Sequence, residues 1–512
     1  NSILFGVGTP GGVVNGGWKR ALLGRDLGSV SLRLSEYGTV RATLDYNKVL
    51  YKDRLALRMS TMRENVKYRQ KPAYQDDFRF YAAMSGLIRK GNRSGFLGST
   101  RVRANFERVK LETTPPNVIA QTDNIRHWYM VPDYEAISAQ TGKPVPSRYT
   151  DGSFEPQAMH DEFGDGGPFR GSLAQNLPWF ISIGQVFTDP TNGNAPLVGF
   201  TDPALANLQG AEGRIRQVFD WKVQNNLVEE NWTAGFRARS FQNLEIYNFQ
   251  NQLLTGKLSR RDDDYTYGTV ALEQLLLGGK AGFELSYNYQ NRDRRRQMPF
   301  QDFRGNDVRV DNNLWLGNGE PNPNAGRPLL VSRQWGSWAI QGRERETYRA
   351  TGFFELDFKE KFDGGWAKWL GRHVASGLVE RMILEDFSKG YLMATSSDEI
   401  DMEVALNGKV NNFRRNLHAG FYIGPDLRSV ANYEDVRLSG IIDVPYPQDG
   451  DTFETFVYDP ETGEVRNVTA YAQEYLNRSG LYKNQTDSNA AIFQSFFFND
   501  NLVLMGGIRE DR

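Results

Sequence analysis

Apolar and polar residues alternate strictly along several long segments of the chain. In "KAGFELSYNYQ" (280–290) the odd-numbered positions are apolar or aromatic and the even-numbered ones are mostly polar. The alternation recurs in "TVRATLDYNKVL" (39–50) and "RVRANFE" (101–107), and more weakly in "TYRATGFFELDF" (347–358) and "NLVLMGGIRED" (501–511). Successive side chains of a strand point to opposite faces, so these segments predict two-faced β-strands.

The lengths of the strands and of their connections narrow the fold class. The periodic segments run for about ten to fourteen residues, longer than strands of soluble sheets usually do. Short connectors (50–53, 277–280, 499–501) alternate with long ones rich in Pro, Gly, Asn, Asp and aromatic residues (about 111–214, 293–343 and 387–487). This alternation is typical of transmembrane β-barrels, which have short turns on one side and long loops on the other. We therefore predict an all-β fold that forms part of a large antiparallel transmembrane β-barrel, with a soluble β-rich binding or adhesion protein as the alternative.

Composition excludes several classes of protein. No segment approaches eighteen consecutive apolar residues, so the sequence contains no transmembrane helix. The formal net charge is −1 and the charges are mixed along the chain, which gives no basic face for nucleic acid. The chain has no cysteine, which removes disulfides, thiolate metal ligands and cysteine nucleophiles.

A glycine-rich motif opens the chain. Gly6, Gly8 and Gly11 have the spacing G-x-G-x-x-G of a dinucleotide-binding loop. That loop must open a helix, whereas further glycines and two valines follow here and disfavour helix. The motif therefore does not predict a nucleotide site.

The same stretch has a fuller match. "NSILFGVGTPGGVVNGGWKR" (1–20) resembles the end of the plug domain in TonB-dependent outer-membrane receptors, in a dozen residues in order. Later segments are similar to the siderophore-receptor-like branch of that family in the expected order: 45–84, 267–290, 370–381, 422–427 and 498–511.

The resemblance implies a domain organisation. Residues 1–22 would be the end of the plug, and residues 23–512 the first part of a barrel that has twenty-two strands in the family, with the long segments as extracellular loops. The chain is then expected to be an internal fragment that lacks the TonB box, most of the plug and the C-terminal strand. The plug motif would have a structural role through Gly6, Gly8, Pro10, Gly11, Gly12 and Asn15.

The resemblance also implies a function. It predicts a receptor in the outer membrane of a Gram-negative-type bacterium that actively takes up a scarce ligand, with a ferric siderophore as the leading substrate. A carbohydrate or another nutrient is the alternative substrate. Expected partners are a TonB-type energy-transducing protein acting through the N-terminal region, outer-membrane lipid or lipopolysaccharide, and the ligand itself.

Aromatic residues in the long loops are the candidate ligand contacts, because flat amphipathic rings suit chelate or sugar faces. These candidates are Trp128, Tyr129, Trp179, Phe180, Trp315, Trp335 and Trp338. The same rings would equally serve to pin loops together or to form the interfacial girdle of a barrel. A basic run (Arg292 and 294–296) at a strand end is either a solvated terminus or an attractor of anionic chelates or lipid phosphates.

Motifs for enzymes and metals are missing from the sequence. Asp161, Glu162 and Asp165 lack the spacing of a calcium-binding hand. The four histidines form no pair at ligand spacing, and no G-x-S-x-G elbow is present. We therefore expect no catalytic residues, no metal site and no cofactor.

Overall fold

The computed structural model describes most of residues 19–512. The described residues are 19–91, 95–123, 125–129, 179–180, 240–300, 307–310, 323–332, 335–358, 367–399, 417, 419–440, 446–459, 464–498 and 501–512. The glycine-rich motif at 1–15 and Trp315 therefore lie outside the described residues.

Thirteen strands form one large sheet, which we call the wall. Its strands are β1 (Leu27–Ser35), β2 (Thr39–Tyr51), β3 (Leu55–Lys67), β4 (Tyr74–Arg89), β5 (Leu97–Thr114), β7 (Trp179–Phe180), β8 (Arg260–Leu276), β9 (Ala281–Gln297), β12 (Trp338–Asp357), β13 (Arg372–Ser396), β15 (Thr452–Asp459), β16 (Glu464–Phe497) and β17 (Leu502–Asp511). Neighbours follow the order β1-β2-β3-β4-β5-β8-β9-β12-β13-β16, and β16 also pairs with β15 and β17. Every pair in the wall is antiparallel, so the predicted all-β antiparallel fold is confirmed. Within the described chain β1 pairs only with β2 and β17 only with β16, so this sheet is open.

Connections at the two ends of the wall differ in length. At one end β2 and β3, β8 and β9, and β16 and β17 are joined by short turns. At the other end the connections after β5, β9 and β13 are long. The only helical elements of four residues in the described chain, Arg126–Tyr129 and Ala367–Leu370, lie in connections. No described helix is long and apolar enough to cross a membrane.

The burial pattern of the wall is the reverse of that of a soluble sheet, because apolar side chains are exposed and polar ones are covered. On β2 the side chains of Leu44 and Tyr46 are 45% and 46% exposed, whereas Asn47 is 0% exposed. The register carries these faces across the sheet: Tyr46 lies opposite Met59, and Asn47 opposite Arg58. We call the exposed apolar face the outer face and the covered polar face the inner face.

The outer face forms an apolar band across neighbouring strands. Leu285 on β9 lies between Leu272 and Ala350, and Leu285 itself is 47% exposed. From Ala281 to Tyr289 the strand rises about 27 Å at about 3.4 Å per residue. A tilt of about 40°, typical of barrel strands, reduces this to about 21 Å. That height is near the roughly 25 Å apolar band of transmembrane β-barrels.

Aromatic rings lie at both borders of the apolar band. At the short-turn end the exposed rings of Trp369 and Phe498 meet edge-on with centroids 5.3 Å apart. Towards the long connections the rings of Tyr287 and Tyr348 lie 4.9 Å apart. Aromatic girdles of this kind flank the lipid-facing band of membrane barrels.

The long connections fold together into a second body, which we call the cap. Its sheet has the order β14-β11-β10-β6, with strands β6 (Thr122–Asp123), β10 (Asp307–Val310), β11 (Pro328–Ser332) and β14 (Ala419–Tyr422). The main hydrophobic cluster of the described residues lies mostly in the cap, and Met393 of β13 and Ala472 of β16 join it from the wall. Its members in the cap include Trp128, Phe241, Ile246, Leu254, Phe300, Val308, Leu330, Trp335, Leu417, Phe421, Ile423 and Val436. The long connections therefore contribute a water-excluding core of their own.

Candidate functional site: a basic cleft on the inner face

On β12, next to the cap, positive and negative side chains point to opposite faces of the wall. On β12 the sequence "RERETYR" (343–349) alternates, and Arg343 and Arg345 fall on the inner face while Glu344 and Glu346 fall on the outer face. The register places Arg292 of β9 opposite Arg343, and Asp386 of β13 on the other side of Arg343. The arginines that share this part of the inner face are Arg261, Arg292, Arg294, Arg296, Arg343, Arg345 and Arg478. We call this group the basic field.

Two carboxylates on the same face partly neutralise the basic field. Asp263 on β8 lies 2.8 Å from Arg294 Nε, 3.1 Å from Arg292 Nη2 and 3.2 Å from Arg261 Nε. Arg343 donates two hydrogen bonds to Asp386, from Nε at 2.6 Å and from Nη2 at 2.9 Å.

The remaining arginines of the basic field make no ion pair with a carboxylate in the described part of the chain. Arg296 donates to the neutral Gln341 at 2.8 Å. Arg345 is exposed and makes no ion pair with a residue that the structure describes. Because the arginines outnumber the carboxylates on this face, the basic field carries a net positive charge within the described chain.

A cleft of about 550 Å³ opens over the basic field. Its polar lining consists of Arg292, Arg294, Gln341, Arg343, Asp386, Ser388 and Tyr482. This volume is within the range of about 300–1,000 Å³ found for small-molecule sites. The cleft presents guanidinium groups that are ion-paired with Asp263 or Asp386, the Asp386 carboxylate itself and one exposed phenol ring.

The basic run seen in the sequence is divided between the two faces. Arg292, Arg294 and Arg296 belong to the basic field, whereas Arg295 lies on the outer face. The guanidinium of Arg295 stacks 4.2 Å from the ring centroid of Trp338.

Trp338 is fixed by its neighbours at the start of β12. Its ring stacks on Tyr391 with centroids 4.2 Å apart, and its Nε1 donates to Glu474 Oε2 at 2.6 Å. Among the candidate aromatics it lies nearest in sequence to the basic field. Its role in ligand contact stays a prediction.

Trp128 and Trp335 are buried in the core of the cap, 2% and 0% exposed. The Trp335 ring lies 4.5 Å from that of Tyr446 and 5.2 Å from that of Phe421. A ligand would reach either tryptophan only after a rearrangement of the cap, so the loop-pinning role is the one that this structure displays.

Three other aromatic candidates, Tyr129, Trp179 and Phe180, lie in the connection after β5. Tyr129 is half-buried, and its ring meets that of Tyr433 edge-on at 6.1 Å. Trp179 and Phe180 form β7, which pairs with Val457 and Tyr458 of β15.

A buried carboxyl joins two segments of the cap. Tyr433 donates a short hydrogen bond from its hydroxyl to Asp123 Oδ2. Burial raises the pKa of Asp123, and the bond from Tyr433 opposes that rise. Burial together with the hydrogen bond to Asp123 raises the pKa of Tyr433, so its hydroxyl stays a donor at physiological pH.

Residues 19–26, which we call the incoming segment, are tied to the inner face of the wall at the other end. Lys19 Nζ lies 2.8 Å from Asp45 Oδ2, and Arg58 donates two hydrogen bonds to the same carboxylate. The fully buried amide of Asn47 bonds Leu22 N and O and the carbonyl of Arg25 at 2.8, 3.0 and 2.8 Å. The chain that follows the glycine-rich motif is thus anchored before β1 begins.

Sequence reasoning missed most of the basic field. The run at 292–296 was visible, but the partners from β8, β12 and β16 are distant in sequence. The alternation of sign in "RERETYR" (343–349) was the available signal. Among the described residues no group of three or more His, Asp or Glu is placed to hold a metal ion.

Comparison with known proteins gives matches among solved structures alone. No family model and no curated protein matches the sequence. The ferric preacinetobactin receptor BauA of Acinetobacter baumannii aligns with 96% of this chain and 42% of its own, at 6% identity and a TM-score of 0.39. The siderophore receptor PiuA of Acinetobacter baumannii aligns with 96% of this chain and 46% of its own, at 10% identity and a TM-score of 0.33.

A third match is the ferripyoverdine receptor of the outer membrane of Pseudomonas aeruginosa. It aligns with 96% of this chain and 42% of its own, at 8% identity and a TM-score of 0.35. The chain therefore spans less than half the length of these receptors.

Proposed function

We propose that this chain is part of a TonB-dependent outer-membrane receptor, containing the end of its plug and a portion of its barrel wall. The single observation that carries the proposal is the inverted wall, in which apolar side chains such as Leu285 are exposed and polar ones such as Asn47 are covered. In water that arrangement would leave a large apolar surface exposed to solvent. In a bilayer the same surface faces lipid, and the polar face lines a hydrated interior.

The inverted wall argues against the alternative of a soluble β-rich binding or adhesion protein. A soluble antiparallel sheet places its apolar face on a core and its polar face in water. Here the main described core lies mostly in the cap, and no residue that the structure describes covers apolar side chains such as Leu285 on the outer face of the wall.

The substrate that we propose is a scarce ligand of small size, a ferric siderophore in the first place. The basis is the resemblance of the later segments, from residue 45 onwards, to the siderophore-receptor-like branch of the family whose plug end residues 1–20 resemble, together with a cleft of about 550 Å³ on the inner face. Uptake against a gradient would be driven by a TonB-type protein acting through the N-terminal part of the receptor. A carbohydrate substrate is the second candidate, because no motif in the long loops decides between them.

The test measures location and transport separately. The full-length protein is expressed in a Gram-negative host that lacks its own siderophore receptors, and membranes are fractionated. We expect the protein in the outer membrane, extracted by detergent only, with iron-55 uptake that disappears when the host's TonB-type protein is deleted.

Two results would count against the proposal in different ways. Recovery in the soluble fraction without detergent would overturn the membrane assignment. The protein could instead be found in the outer membrane and take up a labelled oligosaccharide but no iron chelate. In that case the proposed substrate is the second candidate, a carbohydrate.

A further inference from the structure

We infer that Arg63 and Lys110, on the outer face of the wall, bind the headgroup of a lipid whose sugar is phosphorylated, as in lipopolysaccharide. The inference rests on the proposed function for one point only, that the outer face meets a bilayer. It concerns the surface turned away from the basic field and its cleft. We call Arg63, Phe78 and Lys110 the border triad.

The border triad crosses three neighbouring strands in one row. Arg63 of β3 lies opposite Phe78 of β4, and Phe78 lies opposite Lys110 of β5. The row belongs to the outer face, because Arg63 follows the exposed Met59 at an even interval along β3. All three side chains are exposed, Phe78 by 41%. Neighbouring strands are about 4.8 Å apart, so the two cations flank the ring at a backbone separation of about 10 Å.

The triad begins at the level of the aromatic border. Arg63 is eight residues beyond Leu55, where β3 leaves its short turn, and Tyr289 is eight residues beyond Ala281, where β9 leaves its own. Eight residues of a strand tilted by about 40° rise about 21 Å. Between the turn and Arg63 the outer face of β3 exposes Met59 by 51%. The positive charge of Arg63 therefore stands where the apolar band ends.

The two cations of the triad are not used by the fold in the described part of the chain. Neither side chain makes an ion pair or a hydrogen bond with a residue that the structure describes. Asp264, the carboxylate opposite Lys110, is paired with Arg108, whose Nη2 lies 2.5 Å away. Farther along the outer face, Arg381 is paired with Asp487 at 2.7 Å. Unlike these arginines, Arg63 and Lys110 keep their donors available to an anionic headgroup.

The chemistry of the three side chains defines the class of lipid. Guanidinium and ammonium groups bind phosphate oxygens through charge-assisted hydrogen bonds. The ring of Phe78 between them offers an apolar surface to the C–H face of a sugar. Acyl chains attached to that sugar would continue over the exposed side chains of Met59 and Phe106 in the apolar band. A phosphorylated sugar meets all three members of the triad at once, whereas a phospholipid headgroup brings no sugar to the ring.

Native mass spectrometry of the full-length protein in detergent measures the binding of three probes. These are bisphosphorylated lipid A, the same lipid A with both phosphates removed, and phosphatidylglycerol. We expect the wild type to bind bisphosphorylated lipid A at least roughly tenfold more tightly than the other two probes, as hydrogen bonds to charged groups imply. The double variant Arg63→Gln, Lys110→Gln should lose this preference. Heat-modifiable migration reports that each variant is folded.

Lys389→Gln is the matched control. Lys389 is also an exposed lysine of the outer face without an ion pair in the described chain. It lies on β13, eight residues beyond Arg381, the residue opposite Tyr348, and is therefore well beyond the aromatic border. Its substitution should leave all three affinities unchanged, because the headgroup of lipid A ends below that level.

The outcomes separate the inference from the proposed function. Unchanged binding of bisphosphorylated lipid A to the double variant, or equal binding of the dephosphorylated form to the wild type, would overturn the inference and leave the receptor as proposed. Phosphatidylglycerol that binds as tightly as lipid A would overturn the assignment to a phosphorylated sugar. Lipid A binding that depends on the triad, in a protein that takes up no iron chelate, would uphold the inference and count against the proposed substrate alone.

Discussion

Replacing Leu285 by arginine tests the orientation of the wall directly. Leu285 lies on the outer face of β9, midway between Ala281 and Tyr289, and is 47% exposed. If the outer face meets lipid, an arginine at that depth should cost about 2–4 kcal/mol of folding free energy. If the face meets water, a surface substitution should change stability by about 0.5 kcal/mol or less.

The control lies on the same strand and the same face. Asn291 is two residues beyond Tyr289, next to Glu344 of β12 and outside the apolar band. Asn291→Arg should therefore cost about 0–1 kcal/mol, because the penalty for arginine falls towards the membrane interface. The difference between the two variants measures depth and not the mere presence of an added charge.

The assay is reversible unfolding of the full-length protein in lipid vesicles by urea. We expect Leu285→Arg to lower the midpoint with an unchanged slope, which indicates a change in stability and not in the extent of unfolding. A cost of about 2–4 kcal/mol corresponds to a change of roughly 30- to 800-fold in the unfolding equilibrium. Equal midpoints for Leu285→Arg and Asn291→Arg would refute a lipid-facing outer band.

Three further predictions concern the wall, the incoming segment and the cap. Gly342→Ala should destabilise the wall by about 1–3 kcal/mol, because the added Cβ would lie 1.9 Å from the ring of Phe387. Urea unfolding measures this loss, and a second substitution, Phe387→Ala, should restore part of the stability. Asn47→Leu removes three hydrogen bonds to the incoming segment and should expose that segment to protease while the rest of the wall stays resistant; unchanged cleavage would contradict the anchoring role. Because burial raises the pKa of Asp123, its contribution to the stability of the cap is fully present below about pH 4. That contribution is lost as the pH rises through the pKa that Asp123 has in the folded protein. Hydrogen exchange of the cap at pH 4 and pH 7 should show this trend for wild type and lose it in Asp123→Asn, and a cap that tightens with rising pH would refute it.

The strands of the wall and their two faces could be predicted from the sequence, because alternating polarity is a pattern of neighbouring residues. The faces of β2, β5 and β9 follow from alternating polarity in segments of about ten residues, and the structure confirms them. The strands nevertheless run further than polarity indicates: β9 continues to Gln297 and β12 begins at Trp338. In "NRDRRRQ" (291–297) both faces are polar, so a search for apolar residues finds no strand there.

The cap and the basic field could not be predicted from the sequence, because both are formed by residues that are distant in sequence. Trp128, Trp335 and Phe421 come from three connections and meet only through tertiary packing. The ion pairs of Asp263 depend on the register between β8 and β9, which no local pattern supplies. Aromatic composition gave candidates for ligand contact, but packing decides which rings are available, and Trp335 is enclosed in the core.

The difference between the two faces of β9 changes in kind at one level along the strand. Up to Tyr287 and Tyr289 it sorts apolar from polar residues, and beyond them, from Arg292, it sorts residues that are polar on both faces. An apolar outer face is favourable only where the outside is lipid, because apolar surface is costly in water. Where both sides are wet, hydrophobicity no longer distinguishes the faces, and charge is free to differ between them. The two tyrosines therefore mark the level at which the proposed outside changes from bilayer to water. On that assignment, the cap and the cleft beside the basic field lie on the aqueous side of the border, where a receptor would meet its ligand.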